Sequence, residues 1–237
     1  RPVHPMLARA HGRHAGLRIG RTGLVMEALV PAVLEQKVTG REAWLGWRRL
    51  LMRFGDPAPG PVPAGMRVFP EPSRWAMVPS WEWHRAGVGP DRSRTIVRAA
   101  RLASRLEAVV DLAADEADRR LRAVPGIGAW TAAEIRQRAL GDPDAVSLGD
   151  YHLPRLVAYA LAGEERADDA RMLELLEPYA GHRHRACLLL AHTAPMPPRR
   201  GPRLPVRDYR AFSAARHRTL MKEPGSRGGR SSGGAAA

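Results

Sequence analysis

Several of the residues that usually identify a protein class are scarce in this sequence. It has a single cysteine, Cys187, in 237 residues. That excludes an intrachain disulfide, a cysteine-built zinc site and a four-cysteine iron–sulfur cluster. A lone thiol fits a reducing compartment. No run of about 18 apolar residues occurs, and the basic N-terminus RPVHPMLARAHGRHAGLRIGR lacks the apolar stretch of a secretory signal. The expectation is an intracellular, cytoplasmic protein with no membrane partner. The chain begins at Arg1 rather than Met, so truncation or processing belongs to that expectation. Acidic residues are also in short supply, 24 Asp and Glu against 38 Lys and Arg, for a net charge of +14. A pI near 11.3 points to a polyanionic partner, with nucleic acid the leading candidate. Ten of the basic side chains, from Arg199 to Arg230, follow residue 198 and are opposed only by Asp208 and Glu223, so this tail carries +8 of the +14.

Alternating strand patterns are scarce too, whereas apolar residues recur at helical spacing along most of the chain. The fold class expected is all-α. Val25, Leu29 and Val33 mark one helix, with Pro31 kinking it or lying near a start. Trp44, Trp47 and Leu51 stripe a second. FGDPAPGPVPAGMRVFPEPS is too rich in Pro and Gly for regular structure and reads as a long loop before a short helix near Trp81–Arg85. Further stripes run through Ile96, Val97, Ala100, Ala103 and Leu106, then through Leu121 and Val124. Helices follow over Ala129–Leu140, around Leu153–Ala160, around Met172–Leu176 and around Ala186–Thr193. From PMPPRRGPR onward the composition predicts a disordered basic tail, residues 198–237.

The stretch VPGIGAWTA, residues 124–132, has two glycines around one isoleucine where one helix ends and the next begins. Ile127 is the only turn side chain able to anchor in a core. Gly126 and Gly128 can adopt positive φ and leave backbone amides open to a phosphate at a helix N-terminus, where the dipole favours an anion. Gly126, Ile127, Gly128 and Thr131 are therefore candidates for contact with a nucleic-acid backbone. A plain αα-turn using glycine for closure is the competing reading. Some twenty residues on, SLGDYHLPRL places Asp150 at the mouth of the next helix. An N-cap accepting from the amides of His152 or Leu153 would explain it, alone or alongside a chemical role.

VPGIGAWTAAEIRQRAL followed by DAVSLGDYHLPRLV resembles the helix-hairpin-helix, Gly/Pro-rich loop and aspartate of the DNA glycosylase superfamily, and is most similar to the alkylpurine, 3-methyladenine type II, glycosylases. The similarity spans about residues 16–195. It implies a helical glycosylase domain over residues 24–197, preceded by a segment, residues 1–23, that is a remnant of an upstream domain. It implies that Asp150 is the catalytic carboxylate and that the partner is double-stranded DNA containing damaged bases, bound by a monomer. Trp130 stands where lyase-active members carry lysine, which implies hydrolysis without a Schiff base. The same position suits a tryptophan stacking on a cationic alkylated base, with a core role as the alternative. Glu134 stands where relatives have an aromatic pocket residue, and Ala191 replaces another. Gln36 and Lys37 align with the segment that fills the gap left by a flipped nucleotide. The resemblance implies no cofactor beyond a monovalent cation on the hairpin carbonyls, and no metal site.

His182, Arg183, His184 and Arg185 are read as phosphate contacts or solvated surface. A DNA-binding module with the hairpin but without efficient catalysis remains the second reading, and single-stranded nucleic-acid binding by the tail the third.

Overall fold

The computed structural model describes residues 4–195; the tail 198–237 lies outside the described residues. Among the described residues there is no strand, and the only β-type pairing is an isolated antiparallel bridge between Pro57 and Arg67, inside the Pro/Gly-rich segment.

The twelve α-helices of the described residues divide between two hydrophobic cores. The first core is organised by α2 (Val25–Leu34), eight of whose ten residues are buried. A helix apolar on all faces must be surrounded. Around it lie α3 (Gly40–Phe54), α4 (Pro72–Ala76), α5 (Ser80–Ala86), α6 (Pro90–Arg101), α7 (Ala103–Glu107), α8 (Ala114–Arg122) and α9 (Ala129–Ile135). Glu107 at the end of α7 caps α2 from a distance, its two carboxylate oxygens accepting from the amides of Val25 (2.7 Å) and Met26 (2.8 Å). Those amides would otherwise lack a partner inside the helix. Thr39 and Glu42 form a reciprocal capping box at the start of α3. Trp75 is fully buried, stacked with Trp47 and Trp83.

The second core joins α1 (Pro5–Arg13) to α10 (Leu153–Ala162), α11 (Asp169–Leu176) and α12 (Arg183–Thr193). Helix α1 was not legible in the sequence. Leu7 and Ala10 bury it against the second core, and the His4 amide donates to the Tyr179 hydroxyl at 3.0 Å. Two other expectations need correction. The buried face of α3 is Ala43, Gly46 and Leu50, while Trp44 is 56% exposed. The expected loop before Trp81 contains helix α4, which seats Trp75 in the core.

Helix α9 belongs to the first core, and α10 and α12 to the second. It continues into a π-helical turn, Arg136–Leu140, ended by Gly141 at φ +66°. The loop from there to α10 runs along the boundary between the cores, where a cleft of about 220 Å³ opens.

Candidate active site

The hairpin enters between α8 and α9. Gly126 is at φ +100°, and a Cβ there would lie 2.0 Å from Thr95 Oγ1 on α6. Only glycine satisfies both the dihedral and the contact. Gly128 differs from the expectation of positive φ: its backbone is extended (φ −93°, ψ −176°), and a Cβ there would meet nothing within 4 Å. Its bareness serves open space beside the first turn of α9, not the fold. Ile127 is buried in the first core.

Thr131 and Gln36 are placed differently from the expectation. Thr131 is 2% exposed, so its side chain cannot reach a DNA backbone. Its hydroxyl accepts from Gln36 Nε2 at 2.8 Å, and the same amide donates to the Gly126 carbonyl at 3.0 Å. Gln36 therefore pins the end of α2 to the hairpin, and its amide is committed there. Arg98 donates to the Pro125 carbonyl at 2.8 Å. With the Pro125 and Gly126 carbonyls facing protein donors, a cation at the hairpin would have to draw on others. Next to Gln36, Lys37 is exposed and lies at φ +55°, the one non-glycine residue at positive φ among the described residues.

Asp150 meets the hairpin helix across the boundary between the cores. Its Oδ1 accepts from the amides of His152 (2.7 Å) and Leu153 (2.8 Å), capping α10, and its Oδ2 accepts from Trp130 Nε1 at 3.2 Å. Trp130 is half-buried, and its polar edge is engaged by the carboxylate.

Glu134 forms part of the cleft wall and is 9% exposed. It accepts from Arg138 and from the Ser147 hydroxyl, each at 2.5 Å, and Ser147 Oγ in turn accepts from Gln137 Nε2 at 2.9 Å. A buried carboxylate is tolerable when paired and hydrogen-bonded in this way. Ser147, Gln137 and His184 also line the cleft, as does Ala191, and nothing in the sequence pattern assigned the first three to it. Burial holds the His184 imidazole below its ordinary range, with Glu134 and Asp142 pulling the other way. Next to Gln36, loss of hydration raises the Glu35 carboxyl; Arg138 opposes this, while Glu134 and Asp150 add to it.

In the basic run 182–185, His182 is exposed, as a solvated surface residue would be, whereas Arg183 and Arg185 are structural. The Arg183 amide donates to Asp144 Oδ1 at 2.9 Å and its guanidinium pairs with the same carboxylate at 3.3 Å, while Arg185 donates to the Leu17 carbonyl. Among the described residues, no group of His, Cys, Asp and Glu is arranged to hold a metal ion, and no helix is long and apolar enough to cross a membrane.

No family model matches the chain. It is 36% identical over 159 residues, 66% of its length, to a "Probable bifunctional transcriptional activator/DNA repair enzyme AlkA" from Mycobacterium tuberculosis, found alike in two strains. The match covers 31% of that relative, so the chain spans about a third of the length of the curated relatives it matches. A 3-methyladenine DNA glycosylase from Archaeoglobus fulgidus superposes with a TM-score of 0.68 at 22% identity, covering 78% of this chain and 63% of that one. The Schizosaccharomyces pombe 3-methyladenine DNA glycosylase Mag1, solved with abasic DNA, gives 0.63 at 20% identity, covering 78% and 87%.

The chain shares the all-helical fold of the helix-hairpin-helix DNA glycosylases and is similar in sequence, across 66% of its own length, to a DNA repair relative. Among these folds it resembles those of 3-methyladenine glycosylases.

Proposed function

We propose that this chain is a monofunctional DNA glycosylase that binds damaged double-stranded DNA as a monomer and hydrolyses the N-glycosidic bond of alkylated purines of the 3-methyladenine and 7-methylguanine type. The observation that carries the reading is Asp150, fixed by three hydrogen bonds on the lining of a cleft of about 220 Å³. That volume lies below the roughly 300–1,000 Å³ of drug-sized ligand sites and suits one flipped base. The hairpin amides beside Gly128 hold the backbone next to the flipped nucleotide, and Lys37 reaches toward the duplex.

In the reaction the C–N bond breaks with its electron pair leaving on the base. Positive charge then develops on the deoxyribose, where the Asp150 carboxylate stabilises it, orients the water that adds to the sugar carbon and takes the proton which that water loses. No lysine amine stands at position 130, so hydrolysis ends the reaction without a covalent enzyme–DNA adduct.

The test is release of free 3-methyladenine and 7-methylguanine from a methylated duplex. The wild-type chain should release both, and Asp150→Asn should abolish release with duplex binding kept within a few fold. A folded wild-type protein that binds the duplex and releases no base is a binding module instead. Undiminished release by Asp150→Asn removes the assignment of Asp150.

A further inference from the structure

Asp150 is the fourth residue of a tight turn, Ser147–Leu148–Gly149–Asp150, closed by the Asp150 amide on the Ser147 carbonyl at 3.3 Å. Gly149 at the third position has φ +85°, as in the turn type that requires glycine there. The commoner turn type differs from it chiefly by a flip of the central peptide, the one joining Leu148 to Gly149. Such a flip leaves the flanking Cα atoms nearly in place but changes where the central amide points, and with it what the turn can be tied to.

One side chain settles the direction of that peptide. The Gly149 amide donates to Asp169 Oδ2 at 2.7 Å, across twenty residues of sequence. A flipped peptide would turn its carbonyl oxygen toward the carboxylate and replace a charge-assisted hydrogen bond with repulsion. Asp169 is the first residue of α11, but it does not cap that helix; Asp168 does, accepting from the Arg171 amide at 2.9 Å. Its carboxylate thus serves the turn. On the other side Ser147 is anchored to Glu134, so the turn is held from both cores.

We propose that Asp169 is the positioning residue for Asp150: by binding the Gly149 amide it ties the turn to α11 and so holds the adjoining Asp150 carboxylate toward Trp130 and the cleft. The role rests on the reading of Asp150 as the catalytic carboxylate, but the position of Asp150 can be followed without any reaction. The Trp130 indole N–H bonds to Asp150, so its NMR resonance, assigned with Trp130→Phe, reports that position directly.

Four proteins are compared: wild type, Asp169→Ala, Asp169→Asn, which keeps an acceptor oxygen, and Asp168→Ala, which removes the α11 cap. Measured are the indole resonance, the thermal midpoint, duplex affinity, and single-turnover base release at saturating enzyme. Asp169→Ala should move the indole resonance toward its position in Asp150→Ala and slow base release about tenfold, with duplex affinity within twofold. Asp169→Asn should recover most of both. Asp168→Ala should lower the midpoint and leave the resonance and the rate alone. An indole resonance unmoved by Asp169→Ala, or a moved resonance with an unchanged rate, overturns the proposal. So does an Asp168→Ala protein that loses as much rate as Asp169→Ala. If wild type releases no base while the resonance shifts as expected, the glycosylase reading fails and the tether stands.

Discussion

The indole N–H of Trp130 donates to Asp150 Oδ2 at 3.2 Å, joining the second residue of the hairpin helix to the loop that opens the second core. The bond makes the hairpin and the carboxylate one unit. Any shift of α9 imposed by a bound DNA backbone is passed to Asp150 through a ring held partly in protein. It also explains why a tryptophan can stand at this position without filling the core: its polar edge needs an acceptor, and Asp150 supplies one.

Trp130→Phe keeps an aromatic ring and removes the donor. Single-turnover base release should fall about tenfold, the effect of one hydrogen bond to a charged group worth roughly 1.5 kcal/mol. The thermal midpoint should change little, because Asp150 keeps its two amide bonds at α10. An unchanged rate means that the indole N–H does not orient the carboxylate.

The two hairpin glycines should separate cleanly. In Gly126→Ala the new Cβ meets Thr95 Oγ1 at 2.0 Å and keeps a φ of +100°, so the fold should lose about 3 kcal/mol, or roughly 6–12 °C in Tm. Thr95→Ala should recover part of that loss, since the two sites share one contact. Gly128→Val meets nothing within 4 Å and has extended backbone, so its Tm should stay within a degree or two while duplex affinity falls about tenfold. Equal losses of stability in the two variants contradict the assignment of one glycine to packing and the other to the ligand.

That separation marks where the sequence stops being readable. Helix–turn–helix, the buried Ile127 and the capping by Asp150 all follow from local spacing, and each is present. Which glycine needs positive φ is not local, because glycine permits either answer and Thr95 on α6 decides it. Thr131 reads as a phosphate contact from its place after the glycines, yet helical phase turns it inward onto Gln36. Trp44 misleads in the opposite direction, since size suggested burial while phase exposes it. Helix α1 buries only Leu7 and Ala10 in its core, with Met6 partly buried beside them, too few to register as a period. The link from Asp169 to Gly149 has no sequence signature at all, because Asp169 beside a helix start resembles any acidic first-turn residue.

Acid should expose the burial of His184. Burial holds its imidazole below the ordinary range in the folded protein, so the unfolded chain takes up a proton first as pH falls. The associated stability is complete above the unfolded value of about 6.5 and is lost as pH drops through that value toward the folded one. His184→Gln cannot take up that proton. Between pH 7.5 and 5.0 the Tm of wild type should therefore fall further than that of the variant, with the two curves parallel above pH 7. Parallel curves throughout show an imidazole that titrates alike in both states.

Lys37 combines two properties that pull against each other. A φ of +55° is costly for a side chain with a Cβ, about 1 kcal/mol relative to glycine, and its exposed ammonium stands beside the Gln36 pin that holds α2 to the hairpin. Glycine here would relieve the backbone, so substitution at this position separates the dihedral from the ammonium. Lys37→Gly should raise Tm by roughly 2–4 °C and lower duplex affinity, with the slope of log affinity against log salt reduced by about 0.9 for one lost phosphate contact. Lys37→Ala should share the binding loss without the gain in stability, since it keeps the strained dihedral. Base release at saturating enzyme tells a phosphate contact from a gap filler: a phosphate contact leaves the saturated rate unchanged, whereas a side chain that holds the flipped state lowers it in both variants. A rise in Tm with no loss of affinity leaves the strain at residue 37 unrelated to DNA.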